Sequence, residues 1–258
     1  MPVTIYAINF KPDLIFTICP TIFSAPISLF ISILTRIIYN KKVFNWIHYQ
    51  DLEIEAAFNL NILNGNFLKK IILFFEKFLL KNFDVVSSIS NGMINKIKSK
   101  IINKKKLFYL PNFIETKKYN IGQLKKQDNP LFKELELEGV PKIVMYSGTL
   151  NEKLSYEVLI ESIFALKENK NIVWIISGEG PIKNRLLEKL EGLDNVRILP
   201  FQSDDKLALW LNLADIHLIP QKISVANLVL PSKLLGIFSS AKPVVGFAKK
   251  DSDLGNII

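Results

Sequence analysis

Short apolar runs alternate with longer amphipathic stretches along most of this chain. Pro12–Ile18 and Lys42–Tyr49 read as buried parallel strands, and Asp84 opens a strand, turn and helix start. The span Leu14–Tyr39 carries one charge, Arg36, and is long enough to raise the question of a membrane crossing. Pro20, Pro26 and scattered Ser and Thr divide it into strand, loop and helix Pro26–Tyr39, which favours a buried strand–helix unit. Asp51–Gly65 reads as a helix with Asp51 near its start and Gly65 past its end. Asn66–Asn82 is amphipathic, with Lys69, Lys70, Glu76, Lys77 and Lys81 clustered on one side at helical spacing. Such a helix suits a membrane interface, or equally a core position covered on two sides.

The second half is more regular. Strands at Lys142–Tyr146, Ile172–Ile176, Val196–Pro200, Ile216–Ile219 and Pro243–Phe247 alternate with helices at Tyr156–Glu168, up to Leu190, at Lys206–Leu213 and after Pro231. Alternation at this spacing predicts a doubly wound parallel sheet. A short helix, Leu131–Glu138, precedes it, and a polar loop is expected between Ile219 and Pro231. Thr116–Asn129 is polar, lysine-rich and aperiodic, so a linker over 116–130 separates a first domain (1–115) from a second (131–258).

Composition narrows the classes. With 49% hydrophobic and 22% charged residues the 258-residue chain is globular, of one or two domains. Its one cysteine, Cys19, excludes an internal disulfide framework, fits a reducing compartment, and has no neighbouring His to make it a nucleophile. The start shows neither the basic residue nor the small-residue cleavage site of a signal peptide. The net charge of +9 is uneven: residues 1–115 hold 14 Lys and Arg against 7 Asp and Glu. A basic patch over Asn66–Lys106 suits a polyanionic partner or a solvated face. Nucleic acid is disfavoured, because the patch lacks aromatics at reading spacing and any known module.

Candidate chemistry gathers at strand ends. Gly148 and the pair Gly178 and Gly180 follow two strands, where glycine lets backbone approach a phosphate closely. Pro231, Ser232 and Lys233 open a helix after a buried strand, the place where open α/β sheets bind phosphates, and Lys222 and Lys233 bring two cations there. The alternative is an ordinary cap with solvated lysines. His48, Gln50 and Asp51 emerge from a strand end, either as chemistry or as a satisfied histidine and a helix cap. No metal-ligand cluster accompanies them.

Taken in order, H-x-Q-D-L-E-x-E-A-A at His48–Ala57, Asp84-x-Val-Ser, Pro111-Asn112, the run from Tyr146 through Leu150 to Lys153, Ser177–Pro181, and Gln221-Lys222 through Leu230–Leu234 resemble the family-four glycosyltransferases of GT-B fold, closest to the exopolysaccharide, colanic-acid-type group. The resemblance implies an α/β protein of two Rossmann-like doubly wound domains, both incomplete, since the match starts near Lys11 and stops near Ile258. It implies transfer of a sugar, with retention and no metal or cofactor, from a UDP- or GDP-sugar to a lipid-linked or saccharide acceptor in surface polysaccharide assembly. His48 and Asp51 would face the sugar. Gly148, Thr149 and Lys153 would lie by the sugar-phosphate, Gly178 and Gly180 by the nucleotide, and Phe201 by the base. Lys222, Pro231, Ser232 and Lys233 would take the diphosphate. The first domain would dock on anionic headgroups at the inner face of the cytoplasmic membrane. Where the wider family carries a glutamate-x7-glutamate pair, this chain has Leu228 and Gly236, and no carboxylate lies between Asp215 and Asp251. An incomplete sheet implies poor solubility, or a partner chain supplying the missing segments, and a non-catalytic scaffolding remnant is the alternative.

Overall fold

The structure, a computed structural model, describes residues 3–19, 23–101, 106–119, 124–139 and 142–258. The break at Pro20 and the lysines at 104 and 105 lie outside the described residues. The chain forms two compact units, 1–111 with 224–230, and 112–223 with 231–258.

The first unit is a four-stranded parallel sheet, β1 (Leu14–Cys19), β2 (Phe44–Tyr49), β3 (Val85–Ser88) and β4 (Lys106–Tyr109), in chain order. Its helices are α1 (Val3–Asn9), α2 (Ser24–Tyr39), α3 (Glu53–Asn59), α4 (Asn66–Leu80) and α5 (Asn91–Lys100). The core lies on one sheet face, where Cys19, Ile47, Tyr49 and Val86 pack with Ala25, Leu52, Ala56, Leu80, Met93 and Ile97. The other face presents Leu14, Phe16, Ile18, Phe44 and Phe108, all exposed by more than a third. Ser90 starts α5 by accepting the Met93 N–H at 3.2 Å. Asp84 precedes β3 and accepts the Asn45 N–H at 2.8 Å, tying β2 to β3. No helix among the described residues is long and apolar enough to cross a membrane.

Three expectations change here. The helix read to end near Gly65 stops at Asn59, because the chain turns through Asn61 in a left-handed conformation (φ 57°). In α4 Glu76 departs from the lysines it was grouped with: it is 1% exposed and points inward to Lys100, while Phe67, Phe74, Phe75 and Phe78 face outward beside the exposed Lys70, Lys77 and Lys81. The stretch read as a polar loop contains 224–230, whose Val225, Leu228 and Val229 complete the first unit's core. There the Leu228 carbonyl accepts the Leu52 N–H at 2.7 Å.

The second unit begins with α6 (Thr116–Tyr119), a 3-10 turn (Lys126–Asp128) and α7 (Pro130–Glu134). Its five-stranded parallel sheet has the order β7-β6-β5-β8-β9, with β5 (Lys142–Ser147), β6 (Ile172–Ser177), β7 (Val196–Leu199), β8 (Ile216–Pro220) and β9 (Val244–Phe247). The intervening helices are α8 (Tyr156–Ala165), α9 (Lys183–Lys189), α10 (Leu207–Leu213) and α11 (Lys233–Ser239), and α12 (Asp253–Ile257) follows β9. Two apolar clusters sandwich the sheet, one around Leu150, Ile163, Trp174 and Leu186, the other around Met145, Ile175, Trp210 and Leu213. Asp215, just before β8, accepts the Ile143 N–H at 2.7 Å, the same device as Asp84 in the first sheet. The described part of the 116–130 stretch is packed onto this unit: Asn129 donates to the Leu209 carbonyl and Lys126 pairs with Asp215 at 3.0 Å.

Candidate functional site

In the second sheet the chain runs outward one way through β5, β6 and β7, then returns to the other side of β5 as β8. Such a reversal opens a crevice at the carboxyl ends of the two diverging strands. Here those ends carry Gly148 and Gln221-Lys222, with the Gly178 turn alongside on β6.

Backbone bonds knit these turns together. Gly148 N–H reaches the Ser177 carbonyl, Leu150 N–H the Glu179 carbonyl, and Ser155 N–H the Pro220 carbonyl, each at 2.9 Å. Two glycines are sterically required: a Cβ on Gly178 would overlap the Gly148 carbonyl oxygen, and one on Gly180 the Leu150 carbonyl oxygen. Thr149 is exposed and its carbonyl accepts the Tyr146 hydroxyl at 2.8 Å. Asn151 accepts the Lys153 N–H at 3.0 Å, and the Lys153 carbonyl accepts the Lys222 N–H at 3.0 Å.

Lys233 extends over this ground from the first residue of α11. Its ammonium lies 3.6 Å from the centre of the Tyr146 ring, and a Cβ on Gly148 would sit 2.8 Å from it. Among the described residues it forms no ion pair, and loss of solvent around it pulls its pKa down to about 7. An unpaired, half-covered cation beside a glycine turn, at the reversal point of a parallel sheet, is suited to an anionic ligand.

The other predicted residues are less concentrated. Lys222 is paired with Glu152 at 3.2 Å and approaches Glu157, 4.0 Å away. Pro231 accepts the Leu234 N–H, and Ser232 is exposed, its side chain making no cap to the helix. Phe201 is exposed two residues beyond β7. Tyr146 was not singled out by the sequence, because inside the apolar run Lys142–Ser147 it reads as core.

In the first unit His48 is 4% exposed at the end of β2, on the sheet face away from the core. Its ring stacks on Phe16 (centroids 5.9 Å apart) and its Nδ1 is 2.9 Å from Ser87 Oγ, which also accepts the Trp46 indole N–H at 2.7 Å. Burial lowers the His48 pKa, so the ring is neutral near pH 7. Asp51 follows three residues later, half-buried, just before α3. Among the described residues no three His, Cys, Asp or Glu side chains are grouped to hold a metal ion.

Residues 141–254 match the family model for glycosyl transferases group 1. This segment is similar to the group 1 glycosyltransferases. The matched segment contains every residue assigned above to the donor, whereas His48 and Asp51 lie outside it. A relative in Escherichia coli (strain K12), WcaI, named as a colanic acid biosynthesis glycosyl transferase, is 32% identical over 254 residues, covering 96% of this chain and 60% of that protein. Among solved structures, HepE of Anabaena in complex with UDP-glucose superposes with a TM-score of 0.74 at 15% identity, over 100% of this chain and 65% of that one. Sucrose-phosphate synthase from Thermosynechococcus elongatus gives 0.70 at 15% identity, over 94% of this chain and 57% of that one. The α/β architecture of two parallel sheets is therefore the GT-B fold, and this chain spans less than two thirds of the length of each of these proteins.

Proposed function

We propose that this chain acts in transferring a sugar from a UDP- or GDP-sugar to a lipid-linked or saccharide acceptor in surface polysaccharide assembly, of the capsule or lipopolysaccharide kind, with retention and without a metal ion. The observation that carries the reading is the Lys233 ammonium, without an ion-pair partner among the described residues, beside Gly148 at the reversal of the second sheet. As the bond from sugar to diphosphate breaks, negative charge grows on the departing oxygen, and a cation fixed in advance stabilises that charge more than it does the ground state. Lys153 is assigned to the same anion. Lys222 joins it by exchanging Glu152 for phosphate oxygens, Gly178 and Gly180 border the nucleotide, and Phe201 offers an aromatic face to the base. His48 and Asp51 are assigned to the transferred sugar. Isothermal titration with UDP-glucose and a GDP-sugar tests the reading: saturable binding is expected, and no heat from either at millimolar ligand removes it.

A docking site on anionic lipid at the cytoplasmic face of the membrane belongs to the same proposal. Its support is the outward row of Phe67, Phe74 and Phe78 on α4, flanked by the exposed Lys70, Lys77 and Lys81.

A second reading, that this chain works as a scaffolding subunit with another polypeptide, is favoured by the bare face of the first sheet. Parallel sheets are ordinarily covered on both sides, yet Leu14, Phe16, Ile18 and Phe44 are exposed. Native mass spectrometry of the chain purified from its own cell separates the two readings: a stoichiometric partner supports the second and a monomer excludes it.

A further inference from the structure

We infer that Tyr146 is a positioning residue of the anion site: its ring seats the Lys233 ammonium while its hydroxyl holds the Thr149 carbonyl, so one side chain couples the cation to the glycine turn. The inference rests on the donor site proposed above and names what assembles it. The ammonium is 3.6 Å from the ring centre and the hydroxyl donates to Thr149 at 2.8 Å. Both groups converge on Gly148, where an added Cβ would meet Lys233 Nζ at 2.8 Å and the Tyr146 hydroxyl at 3.4 Å. The preceding residues Ile143, Val144 and Met145 of β5 are aliphatic and buried, whereas Tyr146 places a polar tip at the strand end. Burial pushes its phenol well above the ordinary value, so the hydroxyl stays a donor. His217 on β8, within electrostatic reach of Lys233, is held neutral with its pKa near 4 by burial. The ammonium thus meets a neutral ring on β5 and a neutral imidazole on β8, and its charge is left for a ligand.

The test compares the full chain with Tyr146→Phe and Tyr146→Leu in two measurements. One is the titration midpoint of the Lys233 side chain by nitrogen NMR, and the other is the affinity for UDP and for inorganic pyrophosphate by calorimetry. Tyr146→Phe keeps the ring, so the midpoint stays near 7, while affinity falls roughly fivefold through the lost hydrogen bond. Tyr146→Leu admits water to the ammonium, so the midpoint rises toward 10.5 and affinity falls roughly tenfold or more. An unmoved midpoint in Tyr146→Leu, or wild-type affinity in both variants, overturns the inference. If the wild type binds neither probe, the donor reading falls, and the midpoint alone still decides whether Tyr146 seats Lys233. Should Tyr146→Leu not fold, unchanged affinity in Tyr146→Phe overturns the inference by itself.

Discussion

Lys100 Nζ lies 2.7 Å from Glu76 Oε2, and this pair sets which side of α4 faces inward. Tyr49 donates to the other Glu76 oxygen at 3.3 Å, and Lys100 also pairs with Glu55. Removing the lysine strands buried carboxylates, so Lys100→Met is expected to lose about 3–5 kcal/mol in urea unfolding. Burial, outweighing Lys100, raises the Glu76 pKa above its ordinary 4.5. The folded state then keeps a proton that the unfolded chain has released, so this group's contribution to stability declines as pH climbs from 4.5 toward the raised value. Glu76→Gln removes that slope, and an unchanged stability–pH curve in that variant contradicts the assignment.

The Lys233 titration gives donor binding a pH signature. An arriving diphosphate favours the protonated lysine, so affinity is expected to fall as pH rises through about 7. It also falls below about 6, where the terminal phosphate takes up its proton. UDP calorimetry from pH 5 to 9 should therefore show a maximum between these limits, and Lys233→Met should erase the alkaline limb.

Gly178→Ala tests the close approach of the two glycine turns. The new methyl would occupy the place of the Gly148 carbonyl oxygen, which is backbone and yields only if the turn moves. We expect a loss of about 1–3 kcal/mol in thermal or chemical unfolding. UDP affinity should drop with it, since Gly148 borders Lys233. A fully stable variant that binds UDP normally would show that the turns are not so tightly joined.

On α4, Phe74→Glu and Phe78→Glu separate surface function from folding. Both side chains are more than half exposed, so stability should change by no more than about 0.5 kcal/mol. Co-sedimentation with vesicles containing phosphatidylserine should fall severalfold in either variant, and in high salt for the wild type, because the flanking lysines act through a screened field. Equal sedimentation of wild type and both variants removes membrane docking from the proposal.

Much of the fold was legible in the chain because the strands are short, apolar and regularly spaced. Ile172–Ile176 and Ile216–Ile219 need only hydrophobicity and flanking glycine or proline to be recognised, and the structure extends each by one residue. The turn at Gly178 was likewise visible, since backbone packed this closely admits no other residue. Harder to see were positions whose meaning depends on a distant partner. In α4, helical spacing alone grouped Glu76 with the lysines, and nothing local shows that Lys100, 24 residues on, draws it inside.

By itself, then, the sequence determined the alternation of strands and helices, the parallel sheet of the second half and the placement of glycines and lysines at strand ends, all properties of local spacing. Tertiary structure alone decided that Leu228 joins the first unit's core, that α4 turns its phenylalanines outward, and that Lys233 settles over Tyr146. Burial and unpaired charge are sums over neighbours that the fold assembles from far along the chain, and no window of sequence contains them.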